Sequence, residues 1–336
     1  MNFHFSLIYS ACELPSTWDD VAKNYFQKRE FLVHAEKYNP CKQRYWLLEK
    51  SGELKAGAVL YTLRLHLLTY MHLKSPLEMH IAGIPCSVSC PGFIGDKFHI
   101  QILQKHLFSM LKGFVLFLNL LDEAQGIKHA HGNTLPTIII KRCFQDWEDY
   151  FSALRSNYRR RLLKLLNSNH DIILETLPCR EFSREMYNQY LEVYKKSDAK
   201  LEKLTYDFFL NLPDLFRLTI CRKGSEIIGW NITLFHEKVM YFFLGGINYQ
   251  MNTDNSTYLF LLAHIVRRGI EMGAREIDLG QTAEIPKMRM GGIPEKRFME
   301  ARHSNMLMNN LIRICQGMLS YKRDLPGVHV FKEVLV

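Results

Sequence analysis

The sequence predicts a layered α/β (α+β) fold of two tandem domains, residues 1–150 and 151–336, each with a mixed, mainly antiparallel sheet. Three observations predict it. First, each half of the chain carries a hairpin of the same grammar, "RYWLLEKSGELKAGAVLYTLRL" at 44–65 and "FRLTICRKGSEIIGWNITLF" at 216–235. Each is an apolar strand, a Lys/Ser/Gly/Glu turn and a second strand entered through Gly57 or Gly229. Second, each hairpin is followed by a strand, a glycine-containing loop or its counterpart, a helix and another strand, an order that implies layers of helix on sheet. Third, 336 residues, 47% of them hydrophobic, suit two cores of ordinary size.

In the first half, the elements after the hairpin are the strand "MHIAGIPCSVSC", the loop "PGFIGD", a helix from Lys97 to Lys112 and the strand "GFVLFLNLL". Between the halves, "RSNYRRRLLKLLN" sets Arg155, Arg159, Arg160, Arg161 and Lys164 in helical pattern with Leu162, Leu163, Leu165 and Leu166. This basic helix has two readings, a solvated face or a contact for phosphate or nucleic acid. The second half opens with a strand at 171–175 and two amphipathic helices, "SREMYNQYLEVYKKS" and "TYDFFLNL". Its hairpin leads to the strand "VMYFFLGG", the loop "INYQMNTDNS", a helix from Thr257 to Met272 and the strand "REIDLG". A helix from Ser304 to Tyr321 closes the chain.

The helix at 257–272 carries apolar residues at Tyr258, Leu259, Leu261, Leu262, Ile265, Val266 and Ile270, the stripe of a helix packed on a sheet. Ser256 or Asn255 is placed to cap its N-terminus, Arg267 and Arg268 complement the dipole at its other end, and Gly273 supplies a left-handed stop. A helix start after a strand and a polar loop suits an anion, although most such helix starts bind none.

Composition excludes several classes. Eight cysteines lie without a CxxC pair, so neither a zinc ribbon nor a thioredoxin-like motif is expected, and no metal site. "HAH" at 129–131 reads as a solvated loop. The chain lacks the glycine fingerprints of P-loop and dinucleotide-binding proteins and the G-x-S-x-G elbow of serine hydrolases. Its apolar runs are too short to span a membrane, and its first residues lack the basic region of a secretory signal, so a cytoplasmic protein is expected. The formal charge of +9 favours anionic partners.

The segment "REIDLGQTAEIPKMRMGGIPEKRF", 275–298, begins as a strand in which Ile277 and Leu279 alternate with Asp278 and Gly280. It then turns into a polar cluster, Gln281 and Thr282, and a basic stretch, Lys287 and Arg289, that ends at Gly291 and Gly292. Together with "CRKGSEIIGWNI", "MYFFLGGINYQMN" and "YLFLLAHIVRRGIEMG", this piece resembles a domain of the GNAT acyltransferase superfamily. The whole chain looks like the tandem-domain branch that includes Fem-type peptidoglycan aminoacyl transferases. "NYRRRLLKLL" is similar to a segment that precedes the second domain there.

The resemblance implies an N-acyltransferase with no tightly bound cofactor. An acyl carrier would lie in the opening between the strands at Tyr241–Gly246 and Glu276–Gly280. Acyl-CoA is the donor it implies, with a small-molecule or peptide amine as acceptor. Because "QMNTDNSTY" lacks the glycines of the usual phosphate loop, an aminoacyl-tRNA donor stays open, as does a non-catalytic binding module. No long coiled-coil arm of the kind many Fem-type enzymes carry is visible.

Transfer to an amine needs a proton acceptor and donors for a developing oxyanion. By chain position, Asp278, Gln281, Thr282 and Tyr241 are the catalytic candidates. Gly245, Gly246, Asn248, Asn252, Asp254, Ser256, Tyr258 and the exposed cations Lys287 and Arg289 are the candidates for donor binding. Each also has a structural reading: Asp278 as a turn cap, Thr282 as N-cap of a helix at "AEIPKM", the tyrosines as core. The first domain has no counterpart of "GQTAEIPK" and reads as a structural partner or acceptor platform.

Overall fold

The computed structural model describes residues 3–39, 41–65, 77–86, 88–123, 129–197 and 202–332. The chain forms two compact units. Unit 1 is Met1–Leu135, Leu201–Phe208 and Lys296–Arg323; unit 2 is Pro136–Lys200, Phe209–Glu295 and Asp324–Val336.

Unit 1 holds β1 (Phe3–Ile8), β2 (Arg44–Lys50), β3 (Glu53–Leu65), β4 (Leu77–Ala82), β5 (Phe93–Gly95), β6 (Phe114–Leu120), β7 (Ala130–Asn133) and β15 (Phe298–His303). Their order is β1-β2-β3-β4-β6-β15-β7, with β5 on β3. Among the described residues of this sheet only β4 and β6 run parallel, from Met79↔Phe114 to Ala82↔Phe117. The helices are α1 (Thr17–Val21), α2 (Arg29–Tyr38), α3 (Lys97–Met110), α11 (Met306–Ile314) and α12 (Gln316–Leu319). The crossover helix α3 buries Leu103 and Leu107 against Val115 and Phe117 of β6, which fixes one face of the sheet.

Unit 2 holds β8 (Thr137–Ile140), β9 (Ile172–Pro178), β10 (Phe216–Lys223), β11 (Glu226–His236), β12 (Val239–Ile247), β13 (Glu276–Asp278) and β14 (Ile293–Glu295) in the order β14-β8-β13-β12-β11-β10-β9. Its helices are α4 (Trp147–Ala153), α5 (Ser156–Ser168), α6 (Arg184–Lys196), α8 (Tyr249–Asn255), α9 (Thr257–Glu271) and α10 (Glu284–Met288), while α7 (Tyr206–Leu210) divides between the units at Phe208. Both expected hairpins form, β2–β3 and β10–β11.

Alternation along β11 sorts unit 2 into layers. Trp230, fully buried, donates through Nε1 to the Met186 carbonyl of α6 at 3.0 Å and meets Phe182 edge-on at 4.9 Å. Gly229 and Asn231 point to the opposite face, where α9 lies: a Cβ on Gly229 would stand 2.8 Å from Thr257 Cγ2. On this α9 face Leu262, Ile265, Val266 and Ile270 pack with Met240, Ile277 and Leu279.

Several elements differ from the expectation. The strand after Lys296 does not stay with the second half; β15 is inserted between β6 and β7 in the sheet of unit 1. Conversely β8, from the first half, lies between β13 and β14 in unit 2. The units are therefore interleaved, whereas the sequence suggested one division after residue 150. Strand pairing decides this: "TIII" is a short, wholly buried apolar run, and nothing in such a run states which sheet it completes. "HAH" is no solvated loop, since Ala130 begins β7 and His129 Nε2 lies 2.8 Å from Glu300 Oε2. The closing helix breaks at Cys315 into α11 and α12. No helix among the described residues is long and apolar enough to cross a membrane.

Candidate active site

β12 and β13 run parallel for three pairs only, Val239↔Glu276, Met240↔Ile277 and Tyr241↔Asp278. β13 stops there, whereas β12 runs on to Ile247, paired on its other side with β11. From Phe242 onward, the edge of β12 that faced β13 has no strand partner among the described residues. A register shift between Ile232↔Leu244 and Thr233↔Phe242 leaves Phe243 as a bulge where the strands part, and a bulge re-aims the edge beside it. Unpaired main-chain donors and acceptors along such an edge are a template for an extended ligand.

The loop that closes the opening is strained. Gly280, Thr282 and Ala283 have φ of +73°, +62° and +47°, and the left-handed region costs residues with a Cβ roughly 1–2 kcal/mol each. Ala283 stands at the N-cap of α10 with no side-chain cap bond, so Thr282 does not cap that helix as one reading had it. Hydrogen bonds from β8, β13 and α10 hold the loop. Ile138 N donates to the Gly280 carbonyl at 3.1 Å and Leu279 N to the Ile138 carbonyl at 2.8 Å. Asp278 Oδ1 accepts from Gly280 N at 2.7 Å, and Lys287 Nζ donates to the Gln281 carbonyl at 2.6 Å. Strain that surrounding bonds impose is concentrated at functional sites more than elsewhere.

Asp278 Oδ1 accepts a second bond, from Thr137 Oγ1 at 2.8 Å, so the turn-capping reading of Asp278 holds in its geometry. Lys287 is not the exposed cation expected from sequence: it is 2% exposed, with Nζ 5.4 Å from the centre of the Phe242 ring. Burial lowers its pKa to about 7, while Asp278 and Glu284 act to raise it. The first effect wins because a desolvated ammonium loses its hydration and two nearby carboxylates return only part of that. Glu284 is itself buried. Burial also pushes the Tyr258 hydroxyl upward, with Glu284 and Tyr249 adding in the same direction.

The start of α9 differs from the expected anion cradle. Asn252 Oδ1 accepts from Tyr258 N at 3.1 Å, so one of the free N–H groups of the first turn is already satisfied. Ser256 is left-handed, φ +47°, and makes no cap bond. Asn248 caps α8 by accepting from Gln250 N at 3.0 Å. Beside the helix start, Thr257 Oγ1 and both side-chain polar atoms of Asn231 are buried without a hydrogen-bond partner. Buried polar atoms usually have partners, which sets these apart.

The structure thus brings together Tyr241, Asp278, Gln281, Lys287 and Tyr258, and it sets Gly245 and Gly246 in the β12 segment whose edge is free. Thr282 is exposed on the loop rim, Arg289 is exposed at the end of α10, and Asn248 serves α8. Asp254 lies in α8, its side chain outside the described ones. Sequence reasoning missed Thr137, Asn231, Thr257 and Glu284. For Glu284 a signal existed, its spacing of three from Lys287 on a short helix. For Asn231 the signal was a polar residue inside the apolar strand "GWNITL".

Residues 152–289 match the family model of an acetyltransferase (GNAT) domain. No curated protein matches the sequence with significance. Among solved structures, a tandem GNAT protein from the clavulanic acid biosynthesis pathway is similar at TM-score 0.52 and 9% identity, over 90% of this chain and 99% of that one. FemX is similar at TM-score 0.51 and 11% identity, over 81% and 90%. L-PGS from Bacillus licheniformis is similar at TM-score 0.50 and 11% identity, over 86% and 96%. At these identities the likeness is one of fold, and with the family model over residues 152–289 it bears out the tandem GNAT-like fold that the motifs suggested.

Proposed function

We propose, from the premise that this chain has the tandem GNAT fold with a GNAT acetyltransferase domain at residues 152–289, that unit 2 is an N-acyltransferase acting on an amine. One observation carries the reading: the parallel strands β12 and β13 part after Tyr241 and Asp278, beneath a strained polar loop. In this reading an acyl-CoA lies along the edge of β12 that no described strand covers beyond the bulge, its amide groups bonding to main-chain atoms between Leu244 and Ile247. The acyl carbonyl points toward Gln281 and Thr282, whose polar groups stabilise the developing oxyanion.

The amine must lose a proton as it attacks. A lysine whose pKa is lowered to about 7 accepts protons at neutral pH, and the Asp278 side chain beside it favours the protonated form that results. Proton transfer is assigned to that pair. Lys287 has the further task of holding the loop through the Gln281 carbonyl.

A second donor is favoured by a specific observation. Asn252 occupies an N–H of the α9 start that a CoA pyrophosphate would use, while α5 presents Arg160, Arg161 and Lys164 to solvent. Both features suit an aminoacyl-tRNA, whose phosphates spread over a wide surface. Thermal unfolding of the full chain, alone and with acetyl-CoA or an aminoacyl-tRNA, separates the donors, because a ligand at 100 times its dissociation constant stabilises by about 2.7 kcal/mol. Stabilisation by acetyl-CoA and transfer of its label to an amine is the expected outcome. Stabilisation by the tRNA alone selects the second donor, and stabilisation by neither overturns the reading.

A further inference from the structure

Unit 1 ends in a helix whose apolar side chains face outward. Leu307, Leu311, Ile314 and Met318 are 75%, 52%, 82% and 86% exposed; spacings of four and three place the first three on one stripe of α11, and Met318 follows in α12. Met306 and Leu319 extend the patch, and Ile312 is the buried residue of α11. Single exposed apolar residues are ordinary; a contiguous stripe is the mark of an interaction surface.

The sequence around the stripe is predominantly basic, although Glu300 and Asp324 flank it. From Ala301 to Arg323 the chain carries Arg302, Arg313, Lys322 and Arg323 and no acidic residue. A cleft of about 310 Å³ beside α11, lined by Lys105, Phe108, His129, Arg302 and Asn309, adds another lysine and opens next to the same helix.

We propose that α11 and α12 seat unit 1 on an anionic lipid surface. The stripe enters the boundary between headgroups and acyl chains, and the surrounding cations meet headgroup phosphates. A second copy of the chain fits less well, because a two-fold contact through this face would bring two predominantly basic margins together. The proposal does not depend on the activity assigned to unit 2.

The test is sedimentation of the full chain with large unilamellar vesicles of phosphatidylcholine alone, or with one-third phosphatidylglycerol, at low and raised salt. The expected result is binding to the anionic vesicles that weakens with salt. L307S/I314S/M318S should lower the partition coefficient by at least about tenfold, and R313E/K322E by at least about thirtyfold, as roughly 1 kcal/mol for each of the two cations lost near the surface requires. Both variants should unfold at the wild-type temperature, since every substituted side chain is exposed. Equal binding to both vesicle types, or binding to neither, overturns the proposal. So does a stoichiometric dimer in light scattering that L307S/I314S/M318S converts to monomer, which would assign the face to a second copy.

Discussion

Thr137 Oγ1 donates to Asp278 Oδ1 at 2.8 Å, joining residues 141 apart in sequence at the point where β13 ends and the strained loop begins. The same oxygen takes the Gly280 N–H. One carboxylate oxygen therefore fixes both the neighbouring strand β8 and the first turn of the loop, and Thr137, fully buried, has little alternative partner in solvent.

Thr137→Val should cost about 1–3 kcal/mol, the range for leaving a buried polar partner short of a bond. Thr137→Ser, which keeps the hydroxyl, should recover most of it. Urea unfolding of the three proteins measures this; equal stabilities for Val and wild type would show that the bond contributes nothing.

Lys287 should make stability rise with pH. Its folded pKa of about 7 lies below the value of 10.5 that it has when unfolded, so between these values the unfolded chain binds the extra proton and the folded chain is favoured as pH increases. The cost is fully present below about pH 7 and vanishes above 10.5. Lys287→Met removes this dependence, at roughly 1.4 kcal/mol per unit of pH within the window. Comparing wild type and variant at pH 7 and pH 9.5 by chemical denaturation isolates the lysine from the buried tyrosines. A difference that stays constant with pH would contradict the lowered pKa.

The loop's left-handed residues give a third expectation. Ala283→Gly relieves the steric cost at φ +47°, while glycine's greater freedom in the unfolded chain opposes it by roughly 0.5–1 kcal/mol. The melting temperature should stay level or rise. Ala283→Val adds a β-branched side chain at the same φ and should destabilise by more than about 1 kcal/mol. A valine variant as stable as wild type would mean that the loop relaxes without penalty.

Much of unit 2 was legible in the sequence because its signals are local. Turn residues and glycine entries mark the hairpin β10–β11, and the stripe of α9 from Tyr258 to Ile270 is helical on its face. What was not legible depends on pairing between distant segments. β8 has no local mark of its partner, yet it supplies Thr137 and the Ile138 bonds that clamp the loop. The burial of Lys287 was hidden for the same reason: "AEIPKMRM" reads as a polar, solvated stretch until β8 and β13 cover it. In the sequence Asn231 is a polar residue inside an apolar strand and Thr257 the first residue of a helix; that both are buried without hydrogen-bond partners shows only in the fold.

Asp278→Asn separates proton transfer from architecture. An asparagine keeps one oxygen to accept from Thr137 and Gly280, so the loop should hold and the loss of stability should stay small. What disappears is the negative charge, one of the two influences that raise the pKa of Lys287. The lysine should then titrate below about 7. If neutral Lys287 receives the proton, kcat/KM of the wild type falls as pH drops through about 7, and in the variant that fall moves to lower pH with the plateau retained. If the Asp278 carboxylate itself receives the proton, the plateau drops by about 10²–10⁴-fold, the usual contribution of a general base. If neither group receives the proton, both plateau and limb stay where they were, and the assignment of proton transfer to this pair fails. Steady-state rates with the donor identified by thermal unfolding, measured from pH 5.5 to 9, distinguish these outcomes, and Lys287→Met run alongside should abolish the limb near 7 if the lysine is its source.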